Sequence, residues 1–321
     1  MDTGLNLKKI TNLSFYGPGY EIYNKNDNFD DILAKFQIKF DCIFLGHSWL
    51  SDASGKYDIP NSINFAQIKL PKFIFLNKEY VNLDYKLNYI IKNKFNACFT
   101  HHNNQNLYIK KTKIKFFFIP FAFNSQRLKK RKYKKNIDIF FSGVLRNQNK
   151  NSNQSSFRMN VMSVIYKKCF NLKLYKKKIF MKYKVFWNSV PILFIEKIIS
   201  KYLNQYKYLS DKQYDDNLQK SKLIINSLSP IGLVSPRYYE TLAVRGIIFS
   251  EKSSLIEDLI PSKYIVYAEN NVNEITKKLK DILENYESYD HYLDEAQNYV
   301  FDNHTWDHRA KQVLVEIRNC L

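Results

Sequence analysis

Glycine and proline are scarce in this chain, eight of each in 321 residues, and the glycine-rich signatures of several chemistries are missing. No Gly-x-x-x-x-Gly-Lys-Ser/Thr and no Gly-x-Gly-x-x-Gly occurs, so P-loop nucleotide hydrolysis and dinucleotide redox chemistry have no support. Gly17-Pro-Gly19 is too short to stand for either. A Gly-x-Ser-x-Gly nucleophile elbow is absent too. The four cysteines, Cys42, Cys98, Cys169 and Cys320, lie far apart with no Cys-x-x-Cys pair, which excludes a zinc ribbon or a disulfide framework and suggests a reducing compartment. Apolar runs fall far short of the ~20 residues that span a bilayer. The first residues, Met1 to Lys8, lack a basic region followed by an apolar core. A soluble cytoplasmic protein is expected.

What is present suffices for two domains: the length exceeds that of a usual single domain, and 45% of residues are hydrophobic. The net charge is +20, and it is concentrated. Residues 110–210 hold 25 Lys and Arg against Asp138 and Glu196, a net +23, while the rest of the chain nets −3. The densest run, Arg127-Leu-Lys-Lys-Arg-Lys-Tyr-Lys-Lys135, falls between the two expected domains. Lys173 to Lys184 reads as part of a helical region in which Ile192, Ile195, Ile199 and Tyr202 share a face. Such a belt suits peripheral contact with an anionic membrane or a polyanionic acceptor, or is simply a solvated linker. Nucleic acid is a poorer partner, because the basic run has no recognition-motif spacing.

The N-terminal half reads as alternating strands and helices. Leu13 to Gly19 is a short strand into a turn, Asp41 to Gly46 a buried strand ending at His47, and Lys72-Phe-Ile-Phe-Leu76 another. A helix over about residues 83–92 precedes Ala97-Cys-Phe-Thr100, and Lys115 to Pro120 closes the set. Continuous apolar strands separated by helices indicate a parallel sheet. Ligands bind beyond the carboxyl ends of such strands, where Glu79, His47, His101 and His102 fall. Consecutive strand residues point to opposite faces, so the two histidines are a poor metal pair.

The C-terminal half carries the richest motif, Ser235-Pro-Arg-Tyr-Tyr-Glu240, running on to Gly246 and a buried strand. Ser235 is placed to cap a helix with Pro236 at its first position, leaving free N–H groups and a positive dipole end for an anion. Arg237 and Glu240 are neighbours at i,i+3. A guanidinium suits a phosphate, and a carboxylate accepts from vicinal sugar hydroxyls. The alternative is an ordinary surface ion pair. Around this motif stand Asp138-Ile-Phe-Phe-Ser-Gly-Val-Leu-Arg146, a strand into a Ser-Gly turn, the helical residues 214–221, the strand Leu223 to Ser227, Tyr264 to Ala268, and His304-Thr-Trp-Asp-His-Arg309.

In this order residues 137–315 resemble the nucleotide-sugar domain of group 1 glycosyltransferases, especially the branch related to the spore-coat protein CgeB. The resemblance implies an α/β protein of GT-B type: two Rossmann-like domains with parallel sheets facing an interdomain cleft. The expected parts are an acceptor-side domain over 1–125, a basic linker over 126–136, a nucleotide-sugar domain over 137–303, and a helix over 304–321 returning to the first domain. The function implied is hexosyl transfer from a nucleotide-sugar to a glycan, lipid-linked or protein acceptor, as in polysaccharide biosynthesis. Arg237, the Ser142-Gly143 backbone, Arg146 and the Ser235 helix end would neutralise the leaving diphosphate, and Glu240 would hold the ribose. Glu79 would be the base, with His101 or His102 as alternatives. With no Asp-x-Asp in the chain, metal-independent chemistry without a cofactor is expected. Gly232 stands eight positions before Glu240, where retaining members of the superfamily usually carry a second glutamate, so the stereochemical outcome stays open. The rival is a non-catalytic relative kept as a basic scaffold on membrane or nucleic acid.

Overall fold

The computed structural model describes residues 7–46, 62–79, 81–144, 157–169, 174–178, 183–190, 209–229 and 233–321. The chain divides into two compact units, Met1–Phe121 with Trp306–Leu321, and Ala122–Thr305.

Unit 1 runs α1 (Phe29–Phe36), β1 (Ile43–Leu45), β2 (Lys72–Leu76), α2 (Leu83–Lys92), β3 (Ala97–Thr100), α3 (Gln105–Thr112) and β4 (Lys115–Phe118). The strands form one parallel sheet in the order β1-β2-β3-β4. Every residue of β2 and β3 is buried, as a parallel sheet covered on both faces requires. Leu87, Ile90 and Tyr108 of α2 and α3 pack in one core cluster with Ile74, Leu76 and Cys98. Ala310, Val313 and Ile317 pack in another with Phe73, Phe75 and Phe99.

Unit 2 runs β5 (Ile137–Val144), α4 (Phe157–Ile165), β6 (Tyr166–Cys169), β7 (Leu174–Lys178), β8 (Val185–Val190), α5 (Asp211–Gln219), β9 (Ser221–Ile225), α6 (Pro236–Ala243), β10 (Ile247–Ser250), α7 (Ser254–Glu257), β11 (Ile265–Tyr267), α8 (Val272–Glu284) and α9 (Asp290–Asn303). The chain then enters α10 (Trp306–Arg318), which belongs to unit 1. The unit 2 sheet is parallel throughout, in the order β11-β10-β9-β5-β8. From β5 the chain goes outward to β8 on one side, and from β9 outward to β10 on the other. The topological switch therefore lies between β5 and β9, where open α/β sheets leave a ligand crevice at the strand C-termini. Gly246 makes the tight passage from α6 to β10, since a Cβ there would strike Ile224 Cδ1.

Three sequence expectations change. Residues 12–16 form no strand. Tyr16 Oη instead donates to Asn24 O at 2.8 Å and Asp27 Oδ2 at 2.6 Å, folding that stretch back as a loop. Within the expected helical region, Leu174–Lys178 is a strand paired antiparallel with β6; edge strands tolerate lysine. The residues proposed to share its apolar face, 192–202, lie outside the described residues. The basic run is also no free linker. Lys135 Nζ donates to Val244 O at 2.7 Å and Gln219 O at 3.0 Å, and Lys132 bridges Asp290 and Asp294 at 3.1 Å each. Burial, helped by the charge of Arg245, pulls the Lys135 ammonium down to about 7.

Candidate functional site

The switch point of unit 2 gathers most of the donor-side residues. Ser142 and Gly143 lie inside β5 and not in a turn after it, opposite Asn188 and Ser189 of β8. Gly143 has φ +151°, and a Cβ built on it would sit 3.6 Å from both Nη atoms of Arg237. The Arg237 guanidinium thus lies directly over the Gly143 backbone, 5.9 Å from the Phe141 ring centroid. Any side chain longer than a methyl at 143 would displace it, and the backbone conformation itself favours glycine.

Ser235 occupies the N-cap position of α6 with Pro236 behind it, but its side chain makes no capping hydrogen bond. The expected cap is therefore positional only, and the first-turn N–H groups have no partner from the Ser235 side chain. Arg146 and Gly232 lie outside the described residues, as does His47.

Glu240 and Arg237 do not pair with one another directly. Glu240 Oε2 accepts from Tyr214 Oη at 2.9 Å, and Arg237 Nε contacts the same hydroxyl at 3.4 Å. The other Glu240 oxygen accepts from Arg127 Nη2. Arg127 Nε also meets Asp215 Oδ2 at 3.1 Å. Burial would lower the Arg127 pKa, but Glu240, Asp215 and Tyr214 outweigh it and raise it. Asp215 is pushed up to about 6 by burial, against the pull of Arg127 and with the repulsion of Glu240.

A second guanidinium escaped the sequence reading. Arg158 of α4 donates through Nε to Ser227 Oγ and through Nη2 to Leu228 O at 3.1 Å, which fixes it just beyond the end of β9. Burial and then the charge of Arg237 push it below the usual arginine range, so the two cations share a neighbourhood. Glu251, after β10, accepts from Leu228 N at 2.9 Å, and burial raises its carboxyl. No motif marks Arg158 in the sequence; only the topology brings it to the switch.

Unit 1 presents a different cluster. Glu79 follows β2, and His101 and His102 follow β3, all three about 95% buried. Glu79 Oε1 accepts from Thr100 Oγ1, Glu79 Oε2 stands 3.0 Å from His102 Nε2, and His102 N donates to Thr100 Oγ1 at 3.0 Å. His101 diverges from its neighbour: its Nδ1 is 2.6 Å from Ile119 O, and its ring stacks on Phe121 at 3.9 Å. The structure thus joins Glu79 with His102 and places His101 in an aromatic packing role. Arg309 of the His-Thr-Trp-x-x-Arg segment, 2% exposed, donates to Pro120 O at 2.9 Å. Among the described residues no three His, Cys, Asp or Glu side chains group as metal ligands, and no helix is long and apolar enough to cross a membrane.

The architecture, two parallel α/β sheets, is that of the GT-B fold. Residues 195–315 match the family model described as glycosyl transferase-like. A glycosyltransferase from Rickettsia africae aligns over 99% of this chain and 81% of its own, with TM-score 0.56 and 12% identity. Anabaena HepE in complex with UDP and glucose aligns over 78% and 72%, with TM-score 0.50 and 11% identity. Sucrose-phosphate synthase from Thermosynechococcus elongatus aligns over 79% and 68%, with TM-score 0.50 and 11% identity. At these identities the likeness is one of fold. No curated protein sequence matches the chain.

Proposed function

We propose that this protein is a hexosyltransferase of the CgeB-like branch, moving a sugar from a nucleotide-sugar to a glycan, lipid-linked or protein acceptor. The observation that carries the proposal is the Arg237 guanidinium laid over Gly143 at the switch point, three residues before Glu240. Arg237, Arg158 and the α6 N-terminus offer positive potential where a diphosphate leaves, the place at which charge develops in the transition state. Glu240 accepts hydrogen bonds from the ribose. In unit 1, Glu79 accepts from Thr100 Oγ1 and stands 3.0 Å from His102 Nε2, and this pair serves the acceptor hydroxyl. Two guanidiniums supply the charge that a divalent ion would otherwise bring, so activity is expected to survive excess EDTA.

UDP is the first probe, since the HepE structure holds UDP with glucose. Thermal unfolding with and without UDP tests the donor site: at a hundredfold excess over Kd a ligand adds about 2.7 kcal/mol to the stability of the native state. Release of sugar from a nucleotide-sugar panel tests the chemistry. If UDP, GDP and ADP all leave the unfolding temperature unchanged and no donor is hydrolysed, the chain is a non-catalytic scaffold.

A further inference from the structure

The basic run looks in sequence like solvated charge, yet its first residue, with its side chain 34% exposed, is bound to carboxylates of unit 2. Arg127 reaches two carboxylates that approach one another from different elements, Glu240 of α6 and Asp215 of α5. Glu240 is 8% exposed and Asp215 8% exposed, so neither carboxylate is freely hydrated. Asp215 Oδ1 is buried without a hydrogen-bond partner among the described residues, so this aspartate relies on its single contact with Arg127. Two buried like charges sharing one cation make that cation indispensable to both. Tyr214, next to Asp215, closes the arrangement by donating to the second oxygen of Glu240 while touching Arg237.

We infer that Arg127 is a positioning residue for the nucleotide: together with Tyr214 it holds the Glu240 carboxylate in one orientation before the ribose arrives. The inference rests on the assignment of Glu240 to the ribose. A carboxylate can accept about four hydrogen bonds, two at each oxygen. With one at each oxygen supplied from within unit 2, one acceptor position on each is left for a vicinal pair of hydroxyls. A pre-set acceptor avoids the ordering cost that a free glutamate would bear on binding. Arg127 touches no reacting atom.

The pH dependence gives this role a signature that a merely structural arginine lacks. The charged and titratable groups facing Glu240 are Arg127, Tyr214 and Asp215, with Arg237 on its own helix. Asp211 and Asp216 act on Asp215 in turn. From α9, packed against α6, Asp290 and Asp294 engage Arg245 beyond the far end of α6. Without Arg127, the pull that holds the Asp215 carboxyl down is gone, so Asp215 rises beyond its present value of about 6. At low pH the neutral Asp215 no longer repels Glu240, whereas at higher pH two carboxylates face one another with no cation between them, Glu240 is pushed from its setting, and nucleotide affinity falls.

The test is UDP affinity by calorimetry from pH 6 to 8.5 for the parent, Arg127→Gln, Arg127→Lys, and Arg127→Gln with Asp215→Asn. Arg127→Gln is expected to bind about threefold more weakly at pH 6 and about thirtyfold more weakly at pH 8.5, one pKa unit corresponding to a tenfold difference. Arg127→Lys keeps the charge, so its deficit stays constant with pH. Asp215→Asn removes the like charge and recovers part of the loss at pH 8.5. Carbon-13 NMR titration of the Asp215 carboxyl without ligand makes a measurement independent of UDP: Arg127→Gln moves it upward. That shift in a protein whose parent does not bind UDP sinks the nucleotide assignment. UDP binding with a pH-independent deficit in Arg127→Gln and an unmoved Asp215 titration overturns the role of Arg127.

Discussion

Each unit places a glutamate beyond its parallel sheet, and the two glutamates are wired in opposite ways. Glu79 in unit 1 is held by a hydroxyl and an imidazole. Glu240 in unit 2 is held by a guanidinium and a phenol, with further arginines close by. A carboxylate paired with histidine can exchange a proton, whereas one pinned by arginine stays charged and accepts hydrogen bonds. In the proposed function the surroundings divide the labour: proton handling falls to unit 1, and recognition of charge and hydroxyls to unit 2.

The same substitution in both places tests that division most severely. Glu79→Gln is expected to cut turnover by about 10²–10⁴, the usual contribution of a general base, while UDP affinity stays at the parental level. Glu240→Gln is expected to do the reverse, weakening UDP binding by about 1.5–3 kcal/mol, the range for a hydrogen bond to a charged group. Turnover numbers and calorimetric affinities for the two variants check both statements. Equal loss of UDP affinity in both erases the contrast.

Arg237→Lys sharpens it further, since it keeps the charge over Gly143 but loses the planar fork. Turnover at saturating donor should fall by about tenfold, less than for Glu79→Gln, with affinity for UDP changing little. Parental turnover in the lysine variant removes Arg237 from the diphosphate.

The smallest effect is expected from the exposed lysines and arginine of the basic run. Lys129, Lys130, Arg131 and Lys134 are all exposed, unlike Lys135, and form none of the ion pairs that engage Lys132. Neutralising these four should change stability by less than about 0.5 kcal/mol per site, as for most surface substitutions, and leave donor hydrolysis in solution unaltered. Sedimentation with anionic vesicles should weaken by about 1 kcal/mol per charge at low salt, and this loss should fade at physiological ionic strength. Unchanged sedimentation at low salt confines the run to its contacts within unit 2.

The parts of the fold visible in sequence were those with strong local patterns. The apolar runs at residues 73–76 and 97–99 lie within β2 and β3, and Pro236 marks the start of α6. The lysine-rich strand Leu174–Lys178 was hidden because its composition imitates a solvated helix and its partner β6 supplies the pairing. The gathering of Arg237 with Gly143 follows from topology, which the strand order made readable. Arg127 could not be foreseen at Glu240: 113 positions separate them, and nothing in a run of basic residues distinguishes the one that meets this carboxylate.

The return of α10 to unit 1 sets an order of assembly on the ribosome. Phe73, Phe75 and Phe99 emerge early, while Ala310, Val313 and Ile317, which cover the same core, are translated only after all of unit 2. Unit 2 is continuous and can fold while the chain is still growing. The earlier-made unit must wait with one face of its sheet uncovered, a surface suited to chaperones. Translation that stops at residue 305 leaves that face permanently open, so the first half of the chain is hostage to its last helix.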